Sequence, residues 1–483
     1  MDNDSLNLLA LAALLTHWSV LIGLSARIIM RRRPIGVLLA WIALILSIPV
    51  LGVIVYLFVG ENRIGDKYIK RVAAIRTVYD QWQQSLRGRS RVDNPAPDPL
   101  QRQVESVTGF PVLAGNRVVL LPDYESTFRS LIRDIEHCRS TCHLEFYIWH
   151  PGGLADELFE SLREASRRGV HCRVILDALG SKPFLQSDRP AQLRDAGVEI
   201  ASALPVGLLS TLFSRADLRN HRKIAVIDGK TAYTGSQNLV DPRFFKQDEG
   251  VGQWIDATIR ISGPLVETLA GTFIRDWESV TGSGLENLKQ AHDVQPVNKT
   301  GNVALQIVPS GPYPNPMAIQ QIILAAIYSA SEELVITTPY FVPDESLMTA
   351  LVSAAHQGVK VTLIIPAKND SRLVDYASRS TFGDLLDAGV NIATYECGLL
   401  HTKSITVDGK FCVFGSVNMD MRSLWLNFEI SVLVYNRELT AEIQKLQESY
   451  LQESTLIEAG AWKQRPFSQR FVENAAHLAA PLL

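Results

Sequence analysis

Hydrophobic and polar positions divide the chain into two unlike parts. The first contains two apolar runs, from about Leu6 to Ala26 and from about Ile35 to Val59, neither with a Lys, Arg, Asp or Glu. Each reaches the roughly 20 residues that a helix needs to cross a hydrocarbon core. The pattern therefore predicts a transmembrane hairpin over residues 1–60, with Arg31, Arg32, Arg33 and Pro34 as its turn. A cleaved signal peptide fits less well, because the tail carries Asp2 and Asp4 with no basic residue and the apolar run is too long. Orientation stays open. Arg27 and the three turn arginines compete with Arg63, Lys67, Lys70, Arg71 and Arg76 on the other side.

Residues 61–104 read as a charged helical linker, as in Asp66-Lys67-Tyr68-Ile69-Lys70-Arg71, broken by Asn94-Pro95-Ala96-Pro97-Asp98-Pro99. A basic face there suits anionic headgroups and water equally. Beyond it, helical patterns alternate with short β-rich runs. Asp156 to Arg168 has the spacing of an amphipathic helix, and Val170 to Leu176 that of a buried strand. This alternation predicts an α/β architecture.

The alternation repeats. Gly169-Val170, leading into the strand ending at Leu176, matches Gly358-Val359, leading into Val361–Ile365. Asp195-Ala196-Gly197-Val198-Glu199-Ile200 matches Asp387-Ala388-Gly389-Val390-Asn391-Ile392, and Phe146-Tyr147-Ile148 matches Pro339-Tyr340-Phe341. The unit is too long for a solenoid. It predicts two copies of one α/β domain, over 105–290 and 291–483, packed about a pseudo-two-fold axis.

Composition removes some classes of function. A formal net charge of −3 over 483 residues leaves no global basic field for nucleic acid. The five cysteines form no CxxC pair. The cluster His137-Cys138 and Cys142-His143 lacks the usual zinc spacing and reads as a helix end running into a strand.

Each repeat carries the same polar constellation: His221-Arg222-Lys223, Asp228 and Gly235-Ser236-Gln237-Asn238 in the first, His401-Thr402-Lys403, Asp408 and Gly415-Ser416-Val417-Asn418 in the second. The internal spacings are identical. Residues two apart share one face of a strand, so each His and Lys point into one site. Asp228-Gly229 and Asp408-Gly409 have the composition of tight hairpin turns. Joined, the copies offer two His, two Lys, two Ser and two Asn. Such a set suits a phosphodiester, with cations and neutral donors for its oxygens and an imidazole on each side for in-line displacement.

These residues resemble the HKD signature of the phospholipase D superfamily, over roughly residues 105 to 483. The paired N-terminal runs followed by Gly60-Glu61-Asn62-Arg63, with Thr108-Gly109-Phe110-Pro111, Glu145-Phe146-Tyr147-Ile148-Trp149 and Pro481-Leu482-Leu483, together look like bacterial cardiolipin synthases. The resemblance implies a two-step transfer without metal or cofactor, through a phosphohistidine. By it, His221 attacks phosphorus, and His401 protonates the leaving alkoxide and then deprotonates the incoming alcohol. Lys223, Lys403, Asn238, Asn418, Ser236 and Ser416 hold the phosphoryl oxygens, and Asp228 and Asp408 count with the catalytic set. Glu429 and Asp256 are the acids that orient the partner imidazoles. The implied partners are membrane phospholipids, phosphatidylglycerol and cardiolipin, with no nucleic acid and with assembly of further copies left open. The implied location is multi-pass in a bacterial inner membrane. A phosphatidylserine synthase, a hydrolytic phospholipase D and a non-enzymatic membrane scaffold are the competing readings, and a scaffold would not require both motifs intact. Phe213, Phe244 and Phe245 flank the first motif, either at a lipid entrance or in ordinary packing.

Overall fold

A computed structural model of the chain describes residues 3–30, 35–60, 65–87, 98–205, 215, 217–283 and 294–480. It divides into two compact units: Met1–Gly65 with Val206–Asp217, and Asp66–Pro205 with Leu218–Leu483. The Arg31–Pro34 turn, Glu61-Asn62-Arg63, most of the proline-rich break, Phe213 and the Pro481–Leu483 terminus lie outside the described residues.

In the smaller unit a helix runs over Asn3–Ile29, but the second apolar run is not one helix. It divides into Ile35–Ser47, Pro49–Val55 and a π-helical turn over Tyr56–Gly60. The division falls at Pro49, which has no N–H to continue the hydrogen-bond ladder. At 1.5 Å per residue, the 13-residue piece is about 20 Å long, short of the ~30 Å core of a bilayer. Among the described residues no helix is long and apolar enough to cross a membrane. That finding does not support the expected two-helix transmembrane hairpin or a multi-pass protein. The pieces do pack on one another. Leu21, Ile28, Ile45 and Tyr56 are buried together, and Trp41 meets Tyr56 edge to face at 5.3 Å.

The larger unit is built on one 15-stranded sheet. Its order is Ser454–Leu456, Asn391–Tyr395, Lys360–Pro366, Glu333–Thr337, Ser404–Val407, Phe411–Gly415, Glu429–Val434, Val303–Ser310, Leu113–Leu121, Thr258–Ser262, Thr231–Gly235, Ile224–Ile227, Thr141–Phe146, His171–Asp177 and Glu199–Ala203. Read outward from the antiparallel junction of Leu113–Leu121 with Val303–Ser310, both directions give the same succession of seven equivalent strands, and Ser454–Leu456 adds an eighth at one edge. The expected repeat is thus present as two α/β domains related by a pseudo-two-fold axis at that junction. They do not keep wholly separate cores. Ile224, Ile259, Ile261, Ile307, Phe414, Ile430 and Val432 belong to one cluster that runs across it.

Local signals explain the elements around the site. Asp123, Asp344 and Asn436 each cap a helix by accepting a backbone N–H three residues on. The strands Thr141–Phe146, Ile224–Ile227 and Ser404–Val407 are buried at every position because helices cover both faces of the sheet. The segment Cys138–Cys142 is a helix end passing into a strand, as its spacing implies.

Candidate active site

The two His-x-Lys segments immediately precede the strands Ile224–Ile227 and Ser404–Val407. Each is stitched to the other repeat beside that repeat's acid. The His221 N–H donates to the Phe428 carbonyl at 2.8 Å, and the His401 N–H to the Ile255 carbonyl at 2.8 Å. The next residues are Glu429 and Asp256. The imidazole–carboxylate pairs therefore cross the two-fold: His221 Nδ1 lies 2.8 Å from Glu429, and His401 Nδ1 lies 2.7 Å from Asp256. A carboxylate on Nδ1 fixes the ring so that Nε2 is the atom available for chemistry. Both pairs are buried.

The lysines bend back onto their own segments. Lys223 Nζ donates to the His221 carbonyl at 2.8 Å, and Lys403 Nζ donates to that of His401. Both ammonium groups act electrostatically on His221 and on His401, so the two motifs contribute to one site. Asn238 accepts from the Ile148 N–H through Oδ1 at 3.2 Å, while its buried Nδ2 has no partner in the protein. Asn418 likewise has a buried Oδ1 without a partner.

The family model described as cardiolipin synthase, PLD-like domain matches residues 131–277 and 323–451. A second, described as phospholipase D-nuclease N-terminal, matches residues 20–61. Cardiolipin synthase A of Serratia proteamaculans is 42% identical over 472 residues, covering 97% of each chain, and that of Yersinia pseudotuberculosis is similar to the same extent. The chain belongs to the cardiolipin synthase family. Among solved structures, phosphatidylserine synthase of Haemophilus influenzae superposes with a TM-score of 0.60 at 16% identity, covering 80% of this chain and 100% of that one. That likeness shows a shared fold.

Within this cardiolipin synthase fold the two crossed pairs differ electrostatically. Burial opposes ionisation of Asp256, but the His401 imidazole, its hydrogen bond and the Lys403 ammonium outweigh it and hold the carboxyl at about 2. Burial raises Glu429 to about 7 against the pull of Lys223, Ser416, Asn427 and Lys403. Burial, helped by Lys223 and Lys403, pushes the His221 imidazole well below its ordinary value. Burial takes His401 down to about 4 despite Asp256, and Lys223 down to about 8. Burial thus biases both imidazoles towards the neutral form. An anionic phosphodiester between the ammonium groups would offset their charge and make an imidazolium easier to form.

Four residues expected in the site do other work. Asp228 and Asp408 lie on the far turns of their hairpins. The carboxylate of Asp228 accepts from the backbone N–H groups of Arg139, Ser140 and Thr141 and from the Ser140 hydroxyl. Asp408 does the same with Ser331, Glu332 and Glu333. Both stand at positive φ, 52° and 50°, ahead of Gly229 and Gly409 at 60°, the geometry that Asp-Gly turns supply. The distance from the chemistry follows from the strand: the motif spacing runs the full length of Ile224–Ile227. Ser236 and Ser416 have partners on the segments that carry the two acids. Ser416 donates to Glu429 at 2.5 Å and accepts from the Ile430 N–H at 3.0 Å. Ser236 accepts from the Ala257 N–H at 3.1 Å and helps hold down the Asp256 carboxyl. They position the acids. Gly235 and Gly415 precede them because an added Cβ would meet the Ala257 or Ile430 carbonyl oxygen at 2.4 or 2.3 Å.

The Asp228→Ala change should therefore act on stability. It strands three backbone donors on a half-exposed turn, a loss of about 2 kcal/mol. Calorimetry should show a lower Tm, while the folded variant keeps kcat/KM within about threefold. A loss of kcat/KM in a fully folded variant would return Asp228 to the chemistry.

Other residues enter the site that motif spacing did not single out. Tyr147 lies edge-on to His221 at 5.1 Å, with Lys223 5.7 Å from its ring, and Trp254 packs on His401 at 4.3 Å. Behind the site, Arg222 forms a buried ion pair with Asp276 and donates to the backbone carbonyls of Glu429 at 3.0 Å and Ser310 at 3.1 Å. The aromatic signal was present as the Tyr147–Tyr340 match of the repeat, but Tyr340 bonds to Asp370 at 2.9 Å instead. Phe245 is buried against Trp254 at 5.1 Å, whereas Phe244 is exposed.

Proposed function

We propose that this protein is a cardiolipin synthase that transfers a phosphatidyl group from one phosphatidylglycerol to another at a membrane surface, releasing glycerol. The crossed pairs of His221 with Glu429 and His401 with Asp256 carry this reading. They set two imidazoles, each with Nε2 free, around a site held by two ammonium groups. His221 Nε2 attacks phosphorus, and the bond from phosphorus to the glycerol oxygen breaks. The imidazolium of His401 gives its proton to that oxygen, and glycerol leaves. The hydroxyl of a second phosphatidylglycerol then passes its proton to His401 and attacks phosphorus. The bond to His221 breaks, and both histidines return to their starting states. Lys223, Lys403 and the unpartnered Asn238 Nδ2 hold the phosphoryl oxygens as charge builds. One phosphodiester replaces another, so no nucleotide-activated donor is needed, and the proton that leaves on glycerol is replaced by that of the incoming hydroxyl through His401.

Purified protein given phosphatidylglycerol alone should form cardiolipin and glycerol in equal amounts, read by lipid chromatography and a glycerol assay. Added glycerol should suppress net synthesis and drive label into phosphatidylglycerol. Phosphatidic acid as the main product would mean a hydrolase. Synthesis only with a cytidine-diphosphate lipid would mean a different donor.

A further inference from the structure

The C-terminal helix Phe467–His477 has two apolar faces, and only one of them is packed. Glu473 and Ala476 are buried, and Ala476 and Ala480 close on Val342, Ala377 and Met421. Phe467, Phe471 and Leu478 share the opposite side by helical spacing and are 78%, 63% and 84% exposed. The Phe467 and Phe471 rings lie against each other at 6.2 Å. Aligned large apolar side chains facing water on a helix already anchored by its other face mark a contact surface.

We infer that this face docks on the bilayer, lying in the headgroup region with Phe467, Phe471 and Leu478 in the acyl boundary. Three observations favour a lipid surface, and the inference rests on the reading of the site as one that takes membrane lipid. The helix packs on segments that lead to the site: Met421, under its packed face, is three residues beyond Asn418 in the chain, and Val374, in the same cluster, is four beyond Asp370. Asp370 binds Lys246 at 3.1 Å and Tyr340 at 2.9 Å. The charge suits anionic lipid. The helix has exposed Arg470, and its one acid, Glu473, is turned inward to Arg379 at 3.2 Å and Arg465 at 2.5 Å. The area is small for a protein partner. Three such side chains expose roughly 400 Å², about half of what each side of a stable protein interface buries. Interfacial helices combine such an apolar stripe with basic flanks. Docking here would hold the site at a fixed depth, so that headgroups enter without the lipid leaving the membrane.

The test uses the full chain reconstituted in vesicles of phosphatidylcholine and phosphatidylglycerol. Cys397 is the exposed thiol and the other four cysteines are buried, so Cys397→Ser gives a clean background. An environment-sensitive dye on Phe471→Cys should be quenched by acyl-chain nitroxides about fivefold more than the same dye on Ser449→Cys. Equal quenching at both positions overturns the inference. So does dye–dye contact that grows with protein density and ignores lipid, which would assign the face to a second copy. Replacing Phe467, Phe471 and Leu478 together by Ser should lower activity on vesicles about tenfold. Activity on short-chain phosphatidylglycerol dispersed as monomers should be unchanged. Equal losses on both substrates would make the helix a merely structural element. The dye signal does not depend on turnover, so it decides the docking face even where the unaltered protein makes no cardiolipin.

Discussion

His221→Ala and His401→Ala should each lower cardiolipin formation by about 10⁴-fold or more, and the double variant should be no worse than the poorer single one. The two imidazoles work on one phosphorus. Without His221 no covalent intermediate forms, and without His401 the leaving alkoxide has no proton donor. Either loss stops the same reaction, so their effects do not multiply. Each imidazole is buried beside a carboxylate, so folding is checked by circular dichroism before rates are compared. Acid-quenched, digested protein should carry the phosphatidyl adduct on His221 by mass spectrometry. An adduct confined to His401 would exchange the roles. Substantial transfer by either single variant would remove the shared site altogether.

The site was legible because its motif occurs twice at one spacing, inside a longer repeat that requires two equivalent domains. The crossing of each imidazole to the other repeat's acid came from the family resemblance alone, and Asp256 stands farther beyond its motif than Glu429 does because the first repeat has a longer insertion there. Spacing along the strand itself puts the two motif aspartates a full strand length from the histidines; only the resemblance counts them with the catalytic set. Asp228 and Asp408 share the motif with the histidines yet sit at the opposite end of their strands, satisfying backbone donors of the adjoining segment. The resemblance places Ser236 and Ser416 on phosphate; in the fold the Ser416 hydroxyl donates to Glu429 and that of Ser236 to the Ala257 carbonyl, since a buried hydroxyl takes a nearby acceptor. Arg222 was passed over because it alternates out of the site. Its partners Asp276 and Ser310 are remote in sequence, and no local pattern announces them. The second apolar run was long enough by count to cross a membrane, but a count does not register the interruption at Pro49.

The two orienting acids should prove unequal. Asp256 is held ionised, at about 2, whereas burial lifts Glu429 to about 7. At neutral pH the protein already samples Glu429 in its protonated form, which an amide imitates. Glu429→Gln should therefore cost only about tenfold to a hundredfold in kcat/KM. Asp256 has no such neutral population. Its replacement by Asn lets the amide N–H face His401 Nδ1, which moves the ring proton to Nε2 and removes the base that the second step needs. Asp256→Asn should cost about 10³-fold or more. The pH profiles separate this from a general loss of packing. In the unaltered protein, activity should rise with pH through about 7 as Glu429 ionises and strengthens His221 as a nucleophile. That limb should vanish in Glu429→Gln, leaving a lower and flatter profile, and should persist at the same midpoint in Asp256→Asn. Equal losses with both midpoints unchanged would mean that neither carboxylate's ionisation governs the reaction.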